Sequence, residues 1–232
     1  MKASAIIVAA GSSERFGGDT PKQFCEIGGR PLLSWTISRF ERAGSITQIV
    51  LVTAADRIDY CRDKVVALYH PDSKIEIVAG GATRQESVLR GLEALPETTE
   101  LVAIHDGARP LVDPHDIDEV VEVASKAGAA LLVGAVTDTI KRASDGVVEA
   151  TLKREYLYRA QTPQVFRYEL IREAHTRAAA EGVSVTDDIA LIESDGTPAR
   201  IVVSSSRNLK VTAPEDLEIA AFLLRKESNG QQ

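Results

Sequence analysis

Two cations on one loop of small residues are the first side chains in this sequence that could do chemistry. Arg15 and Lys22 follow an apolar run that ends in Ala9-Ala10-Gly11. Small residues let backbone N–H groups approach an anion closely, and nearby cations supply the countercharge. The loop therefore predicts a phosphate site, and the alternative is an ordinary strand-to-helix loop with two solvated cations. It has neither a G-x-x-x-x-G-K-[ST] nor a G-x-G-x-x-G pattern.

A second glycine turn stands between a predicted strand and a predicted helix and could contact a base. In Gly80-Gly81-Ala82 the paired glycines would let the backbone come close enough to read a base edge through its N–H and C=O groups. Ser87, in the next helical turn, could bind the base or the ribose. The alternative is a plain helix-entry turn with Thr83 as its N-cap.

A third candidate site follows a predicted buried strand, in the segment H-D-G-A-R-P that contains Asp106, Gly107 and Arg109. Open α/β sheets bind ligands at the carboxyl ends of their strands. Asp106 could hold Mg²⁺ there, because that ion takes hard oxygen ligands, and Arg109 could clamp a phosphate. The alternative is an Asp-Gly turn with a salt bridge.

Other polar residues carry weaker signals. Thr139 and Arg154 read as ordinary polar strand residues when taken alone. Thr162 and Thr186 offer hydroxyls suited to a polyol, but equally to turns and helix caps. Lys210 precedes the last helix and could reach a phosphate across the sheet, or it could simply be solvated.

The elements that must position these residues alternate between strand and helix, which is typical of a mostly parallel sheet with helices on both faces. We predict strands over residues 4–8, 48–52, 75–78, 101–104, 129–136, 161–166 and 199–203. We predict helices that begin at Pro31, near Gln85, at Pro114 and at Glu169. Another helix is indicated by the spacing of Ile58, Cys61, Val65 and Leu68. A short helix is capped by Thr186-Asp187-Asp188, and the last helix begins with a capping box from Thr212 to Glu215. Residues 137–158, called the arm below, read as a hairpin-like excursion, so we expect one domain over residues 1–232 with a projecting arm.

Composition limits the classes of function. The chain has 232 residues and a formal net charge of −7, which argues against non-specific nucleic-acid binding. Its longest apolar runs are far short of a membrane span, so we expect no membrane association. Cys25 and Cys61 form no C-x-x-C pair, which fits a reducing cytosol, and we expect a cytoplasmic protein.

The joint order of the motifs resembles the 2-C-methyl-D-erythritol 4-phosphate cytidylyltransferase family over nearly the whole chain. The motifs that carry the resemblance are Ala9-Ala10-Gly11, Arg15, Pro21-Lys22-Gln23, Gly80-Gly81, Arg84, Ser87, His105-Asp106-Gly107-Ala108-Arg109-Pro110, Asp138-Thr139-Ile140-Lys141, Gln161-Thr162-Pro163-Gln164, Thr186-Asp187-Asp188 and Asn208-Leu209-Lys210. The resemblance implies a Rossmann-like fold of the nucleotidyltransferase and glycosyltransferase-A kind. It also implies cytidylyl transfer from CTP to methylerythritol phosphate, with Mg²⁺ and with release of pyrophosphate.

The resemblance implies a role for each candidate residue. The catalytic residues would be Arg15, Lys22, Arg154 and Lys210. The residues that bind CTP would be Ala9, Ala10, Gly11, Arg15, Lys22, Gly81, Ala82, Ser87, Asp106 and Lys210. The residues that bind the acceptor alcohol phosphate would be Asp106, Gly107, Arg109, Thr139, Arg154, Thr162 and Thr186, and Asp106 would face the metal.

The family is a homodimer whose arm reaches into the neighbouring subunit, and residues 137–158 match that arm. Thr139 and Arg154 would then serve the partner's site, as a homodimer with arm exchange requires. Three rival functions stay open: a ribitol 5-phosphate cytidylyltransferase, a sugar-nucleotide synthase that uses another base, and a non-catalytic nucleotide-binding protein. The intact Asp-Gly-Ala-Arg-Pro segment weighs against the first, and the joint presence of Arg15, Lys22, Asp106 and Lys210 weighs against the last.

Overall fold

The fold was analysed in a computed structural model that describes residues 1–11, 16, 20–193 and 195–229. Its strands are β1 (Ala3–Ala9), β2 (Glu26–Ile27), β3 (Arg30–Pro31), β4 (Ile46–Thr53), β5 (Ile75–Ala79), β6 (Leu101–Asp106), β7 (Ala129–Ala135), β8 (Lys141–Ser144), β9 (Val147–Thr151), β10 (Tyr158–Arg167) and β11 (Arg200–Val203). Its helices are α1 (Leu32–Arg42), α2 (Ile58–Tyr60), α3 (Ala67–Tyr69), α4 (Arg84–Glu93), α5 (Pro114–Ala127), α6 (Tyr168–Glu181), α7 (Ile189–Glu193) and α8 (Pro214–Asn229). A π-helix, Cys61–Val66, joins α2 to α3, and short 3₁₀ turns form at Lys22–Phe24, Ala55–Arg57 and Arg154–Tyr156.

The main sheet has seven strands in the order β11-β7-β10-β6-β1-β4-β5. Neighbouring strands pair in parallel except for β10, which lies antiparallel between β6 and β7. From β1 the chain runs outward through β4 to β5, and then returns to place β6 on the other side of β1. The strand order therefore reverses between β1 and β6, and such a switch point opens a ligand crevice at the carboxyl ends of the strands. The predicted fold class is confirmed.

Helices cover both faces of this sheet and bury the central strands β1, β6 and β7 on both sides. Along β1, Ala5 and Ile7 pack in one apolar cluster, with side chains of α1 and α5. Ile6 points to the opposite face, into a cluster that includes side chains of α4, α6 and α7. A smaller cluster around Ile27 and Leu224 attaches α8 to the entry of α1. Among the described helices, none combines the length and the apolar composition needed to cross a membrane.

Two predictions about the first helices are corrected by the structure. Pro31 is the N-cap of α1 rather than its first residue, because it pairs with Glu26 in a short antiparallel ribbon. Leu68 is 61% exposed, whereas Cys61 and Val65 are buried. The π-helical turn is wider than an α-helical one, so it rotates Leu68 off the face that the 3.6-residue spacing had predicted.

The predicted capping box at the start of α8 is displaced by one residue. Asp216, and not Glu215, reaches back: its Oδ2 accepts hydrogen bonds from Thr212 N at 2.8 Å, Thr212 Oγ1 at 2.7 Å and Ala213 N at 2.9 Å. Because Pro214 is the first helical residue, the third helical position falls on Asp216, where a carboxylate satisfies the free N–H groups.

The arm folds as the separate two-stranded ribbon β8–β9. Asp145 and Gly146 join the two strands with φ values of 49° and 80°, as a tight type I′ turn requires. Val147 and Val148 are 67% and 59% exposed on this ribbon. Tyr158 does not belong to the arm, since it already pairs with Ala135 in the main sheet.

Gly91→Ala tests how closely α4 lies on the sheet. A Cβ at this position would come within 2.7 Å of Ile6 Cγ2 and 3.0 Å of Val52 Cγ2, which are methyl groups of stiff β-branched side chains. Alanine favours a helix over glycine by about 1 kcal/mol, but overpacking costs about 1–3 kcal/mol. We expect a net loss in the free energy of unfolding, measured with urea. Glu93→Ala, on the exposed side of the same helix, should change it by less than about 0.5 kcal/mol. A more stable Gly91→Ala protein would contradict the packing argument.

Candidate active site

A cleft of about 590 Å³ opens at the switch point, beside the carboxyl ends of β1 and β6. It brings together these residues that the sequence assigned to nucleotide binding: Ala9, Ala10, Gly11, Lys22, Gly81, Ala82, Ser87, Asp106 and Lys210. The segments that supply them lie far apart in the chain and meet only through the order of the strands. Arg15, the other predicted cation of the first loop, lies outside the described residues.

Gln23 braces the first loop, a role that sequence reasoning missed. Its Nε2 donates to the carbonyls of Ala9 at 2.9 Å and Gly11 at 3.0 Å, and the residue is only 4% exposed. The two bonds fix the chain where it leaves β1, at residues that line the cleft. Gln23 belongs to the Pro21-Lys22-Gln23 motif, but the local sequence does not show that it bonds to Ala9 and Gly11.

Lys22 lines the cleft from the short 3₁₀ turn that Pro21 introduces. Its charge also acts on the start of α8. Burial tends to raise the pKa of the Asp216 carboxyl, but donors on Thr212 and Ala213, together with the charge of Lys22, lower that pKa. Thr212, which donates to the Asp216 carboxylate, lines the same cleft as Lys22.

The glycine turn also lines the cleft and is held by its own helix. Thr83 is the N-cap of α4, as the alternative interpretation predicted, and its Oγ1 accepts a hydrogen bond from Glu86 N. Ser87 Oγ donates to the Thr83 carbonyl at 2.8 Å and accepts from Gly81 N at 3.1 Å. Glu86 Oε2 accepts from Ala82 N at 2.9 Å. The N–H groups of Gly81 and Ala82 are therefore already bonded to Ser87 and Glu86.

Asp106 is the carboxylate around which the cations of the cleft gather. Lys210 Nζ lies 2.7 Å from its Oδ2, Arg84 Nε lies 3.1 Å from its Oδ1, and Arg109 Nε lies 3.8 Å from its Oδ2. Burial alone would raise the pKa of the Asp106 carboxyl, but Arg84, Lys210 and Arg109 outweigh burial and hold the pKa well below its usual range. Asp106 is therefore an anion throughout the physiological range.

Arg84 joins Asp106 to a second buried carboxylate, that of Asp188. Arg84 Nη2 lies 2.9 Å from Asp188 Oδ2, and His175 Nε2 lies 3.1 Å from Asp188 Oδ1. Burial tends to raise the pKa of Asp188, but the charge of Arg84 and the contact with His175 lower it. Arg84 belongs to the motifs that carry the family resemblance, but its role could not be predicted because nothing in the local sequence shows which acids it contacts.

Thr162 and His105 hold Asp106 from behind. The His105 Nε2 faces the Arg109 carbonyl at 3.2 Å and must carry the proton, because a carbonyl can only accept. Burial lowers the pKa of His105 to about 3, so the ring is neutral and its Nδ1 accepts from Thr162 Oγ1 at 3.0 Å. The same hydroxyl accepts from Asp106 N at 3.1 Å. Thr162 is 5% exposed and acts here on Asp106, so its binding of the acceptor phosphate stays a prediction.

The other residues predicted to bind the acceptor are spread over three places. Gly107 is buried, and its N–H donates to the Val8 carbonyl at 2.8 Å. Arg109 is 9% exposed and donates from Nη1 to the Asn208 carbonyl, two residues before Lys210. Thr186 is exposed, two residues before Asp188. Thr139 and Arg154 are exposed on or beside the arm ribbon and are not among the described residues that line the cleft.

The neutral, buried His105 predicts a loss of stability at mildly acidic pH. Its pKa is about 3 in the folded protein and about 6.5 in an unfolded chain, so the unfolded state takes up a proton that the folded state refuses. This contribution is complete above pH 6.5 and falls as the pH drops toward 3. Between pH 8 and pH 5 the free energy of unfolding should lose about 2 kcal/mol from this residue. Urea unfolding of the parent protein and of His105→Asn at both pH values measures it. Equal losses in the two proteins would show that His105 is not responsible.

An open, mostly parallel sheet with a cationic cleft at its switch point defines the chain as a nucleotide-binding α/β protein. Residues 3–226 match the family model described as 2-C-methyl-D-erythritol 4-phosphate cytidylyltransferase, and the chain belongs to that family.

Relatives of that description and a solved structure agree over almost the full length. The relative from Clostridium novyi (strain NT) is 43% identical, with 96% of each chain covered. The relative from Desulforamulus reducens (strain ATCC BAA-1160 / DSM 100696 / MI-1) is 45% identical, again with 96% of each chain covered. The crystal structure of 4-diphosphocytidyl-2C-methyl-D-erythritol synthase from Anaerococcus prevotii DSM 20548 matches with a TM-score of 0.86 and 33% identity, over 97% of this chain and 96% of that one.

Proposed function

We propose that this chain transfers the cytidylyl group of CTP to 2-C-methyl-D-erythritol 4-phosphate. The products are 4-diphosphocytidyl-2-C-methyl-D-erythritol and pyrophosphate, in the non-mevalonate route to isoprenoids. The observation that carries the proposal is the meeting of Lys22, Asp106 and Lys210 in one cleft at the switch point of the sheet. Membership of the cytidylyltransferase family supports the choice of both substrates.

The reaction needs charge and position rather than a covalent nucleophile. An oxygen of the acceptor phosphate attacks the α-phosphorus of CTP and forms the new P–O bond. The bond from the α-phosphorus to the oxygen that bridges to the β-phosphate breaks, and that oxygen leaves with its electron pair as part of pyrophosphate. Negative charge crowds around the α-phosphorus in the transition state, so fixed cations accelerate the step.

The cations in the cleft have separate tasks in this proposal. Lys22, with Arg15 from the same loop, binds the triphosphate and the departing pyrophosphate. Lys210 approaches from the opposite end of the chain and neutralises charge at the α-phosphate. Lys210 is paired with Asp106, 2.7 Å away, and this pair holds its ammonium group in the cleft where the phosphates would bind.

The donor set of the cleft fits a magnesium ion that arrives with the nucleotide. Asp106 is the one carboxylate that lines the cleft among the described residues, and its low pKa keeps it ionised. Magnesium is commonly held by one or two carboxylates together with substrate phosphates and waters. Asp106 would hold the ion, which when bound would neutralise phosphate charge and align the triphosphate. Because Lys210, Arg84 and Arg109 surround this carboxylate, we expect the ion to bind weakly without nucleotide.

The acceptor would bind beside Asp106, with help from a second copy of the chain. Arg109 lies next to Asp106, and Thr186 is exposed two residues before Asp188. We assign both residues to the acceptor phosphate. Arg154 and Thr139 would come from the arm of a partner in a homodimer. Val147 and Val148 on that arm are exposed apolar residues, which a partner surface would bury. We place the enzyme in the cytoplasm, where the free thiols of Cys25 and Cys61 would remain reduced.

Pyrophosphate release tests the substrates. The purified protein is assayed with each of the four nucleoside triphosphates, in combination with methylerythritol phosphate or ribitol 5-phosphate. We expect turnover only with CTP and methylerythritol phosphate. Release with CTP and ribitol phosphate alone would replace the proposed acceptor, and a protein that binds CTP without any turnover would be a nucleotide-binding protein instead. Lys22→Ala should lower kcat/KM by about 100- to 1000-fold, as expected for the loss of one donor to the transition state.

Subunit mixing tests whether the arm acts in trans. Lys22→Ala and Arg154→Ala should each be almost inactive, but a mixed dimer contains one site with both residues intact. Random exchange makes half the dimers mixed, so activity should recover to about a quarter of the wild-type value. The matched control mixes Lys22→Ala with Lys210→Ala. These two lysines line the cleft of one chain, so this mixture should stay inactive. Equal activities of the two mixtures would contradict a site completed by the partner's arm.

A further inference from the structure

Arg84 lies between two buried acids that are far apart in the sequence. Its Nε contacts Asp106 at the end of β6 at 3.1 Å, and its Nη2 contacts Asp188 just before α7 at 2.9 Å. The side chains of Asp106 and Asp188 are 12% and 2% exposed. One guanidinium thus pairs with both, and its planar fork can hold two carboxylates in fixed directions.

The Asp188 end of this bridge is itself firmly held. His175 of α6 contacts Asp188 Oδ1, and the backbone N–H of Asp188 donates to Gln164 Oε1 at 3.0 Å. Asp188, Gln164 and His175 are each 1% exposed. Asp188 therefore cannot turn toward the cleft, and it does not line the cleft. Its effect on a ligand must pass through Arg84.

The segment before Asp188 is attached to the same helix start. Gln85, next to Arg84, donates from Nε2 to the Val183 carbonyl at 2.9 Å and accepts from Val185 N at 3.3 Å. Thr186 lies between these contacts and Asp188. The first turn of α4 thus touches the nucleotide side of the site through Asp106 and the acceptor side through the 183–188 segment.

We propose that Arg84 is a positioning residue that couples the two substrate subsites, with Asp188 as the group that fixes it. Lys210 holds one oxygen of Asp106 and Arg84 holds the other, so the carboxylate plane is set only while Arg84 keeps its direction. Asp188 supplies that direction. This inference rests on the proposed function, because it assigns Asp106 to the nucleotide and Thr186 to the acceptor.

Stability alone does not account for this arrangement. Buried ion pairs contribute little net folding energy, since desolvation offsets most of the attraction, whereas removal of one partner leaves an uncompensated charge. Loss of Asp188 would leave Arg84 with a single partner at the edge of the cleft. Asp106 would then face an unanchored cation, and the nucleotide would meet a differently oriented carboxylate.

The test is CTP binding measured by calorimetry without acceptor, so that no turnover is needed. Asp188→Asn should weaken CTP binding by about 5- to 20-fold, although residue 188 does not touch the cleft. In an Arg84→Met background the same substitution should have no further effect, because the residue that carries its influence is gone. Such non-additivity is the mark of one coupled unit.

Two further variants keep the test decisive. Arg84→Lys keeps the charge but cannot bridge two acids, so it should weaken CTP binding about as much as Asp188→Asn does, and it replaces that variant if Asp188→Asn does not fold. Gln85→Ala is the matched control: it loosens the 183–188 segment without touching Asp106, so it should raise KM for the acceptor and leave CTP affinity within about twofold.

The possible outcomes separate the inference from the proposed function. A wild-type protein that binds no CTP contradicts the proposed function itself. Wild-type CTP binding together with unchanged affinity in Asp188→Asn or Arg84→Lys overturns the coupling by Arg84. Equal losses from Asp188→Asn in the parent and the Arg84→Met background do so as well, because they would show that Asp188 acts by another route.

Discussion

The carboxylate of Asp106 is the interaction on which the site depends. Lys210, Arg84 and Arg109 come from three separate segments and would repel one another if their charges met without an anion between them. Asp106 allows the three to share a small, partly buried volume while all stay charged. The protein has an overall charge of −7, so its capacity for phosphate comes from this local concentration of cations and not from its general surface.

The antiparallel strand β10 explains how Asp106 is held in place. An antiparallel strand brings its first residues to the carboxyl end of its parallel neighbours, and Gln164 of β10 pairs with Ile104 of β6. Thr162 therefore lies behind Asp106, and Gln164 reaches the 187–189 turn. A parallel strand at this position would have delivered its early residues to the far edge of the sheet. One reversed strand thus supports both Asp106 and the 187–189 turn.

What could be predicted from the sequence depended on locally encoded patterns. Apolar runs and helical spacing located the main-sheet strands and most helices, and strand ends placed Asp106 and the Gly80-Gly81 turn at one edge. The local pattern gave a wrong prediction at Leu68, because a π-helical turn changes the helical period. It also gave a wrong prediction at the start of α8, where Asp216 caps the helix instead of the neighbouring Glu215. It could not find the partners of Gln23 or Arg84, since those contacts exist only after distant segments pack together.

Gly80 shows what kind of change this cleft tolerates. A Cβ at this position would lie 2.5 Å from Ala10 Cβ and 2.8 Å from Ser87 Oγ, so the two loops that flank the cleft touch through a glycine. Any larger side chain at position 80 would therefore push the Ala10 loop away from the start of α4. Because Ala10 and Ser87 both line the cleft, such a substitution would change the shape of the cleft without adding a group to its surface.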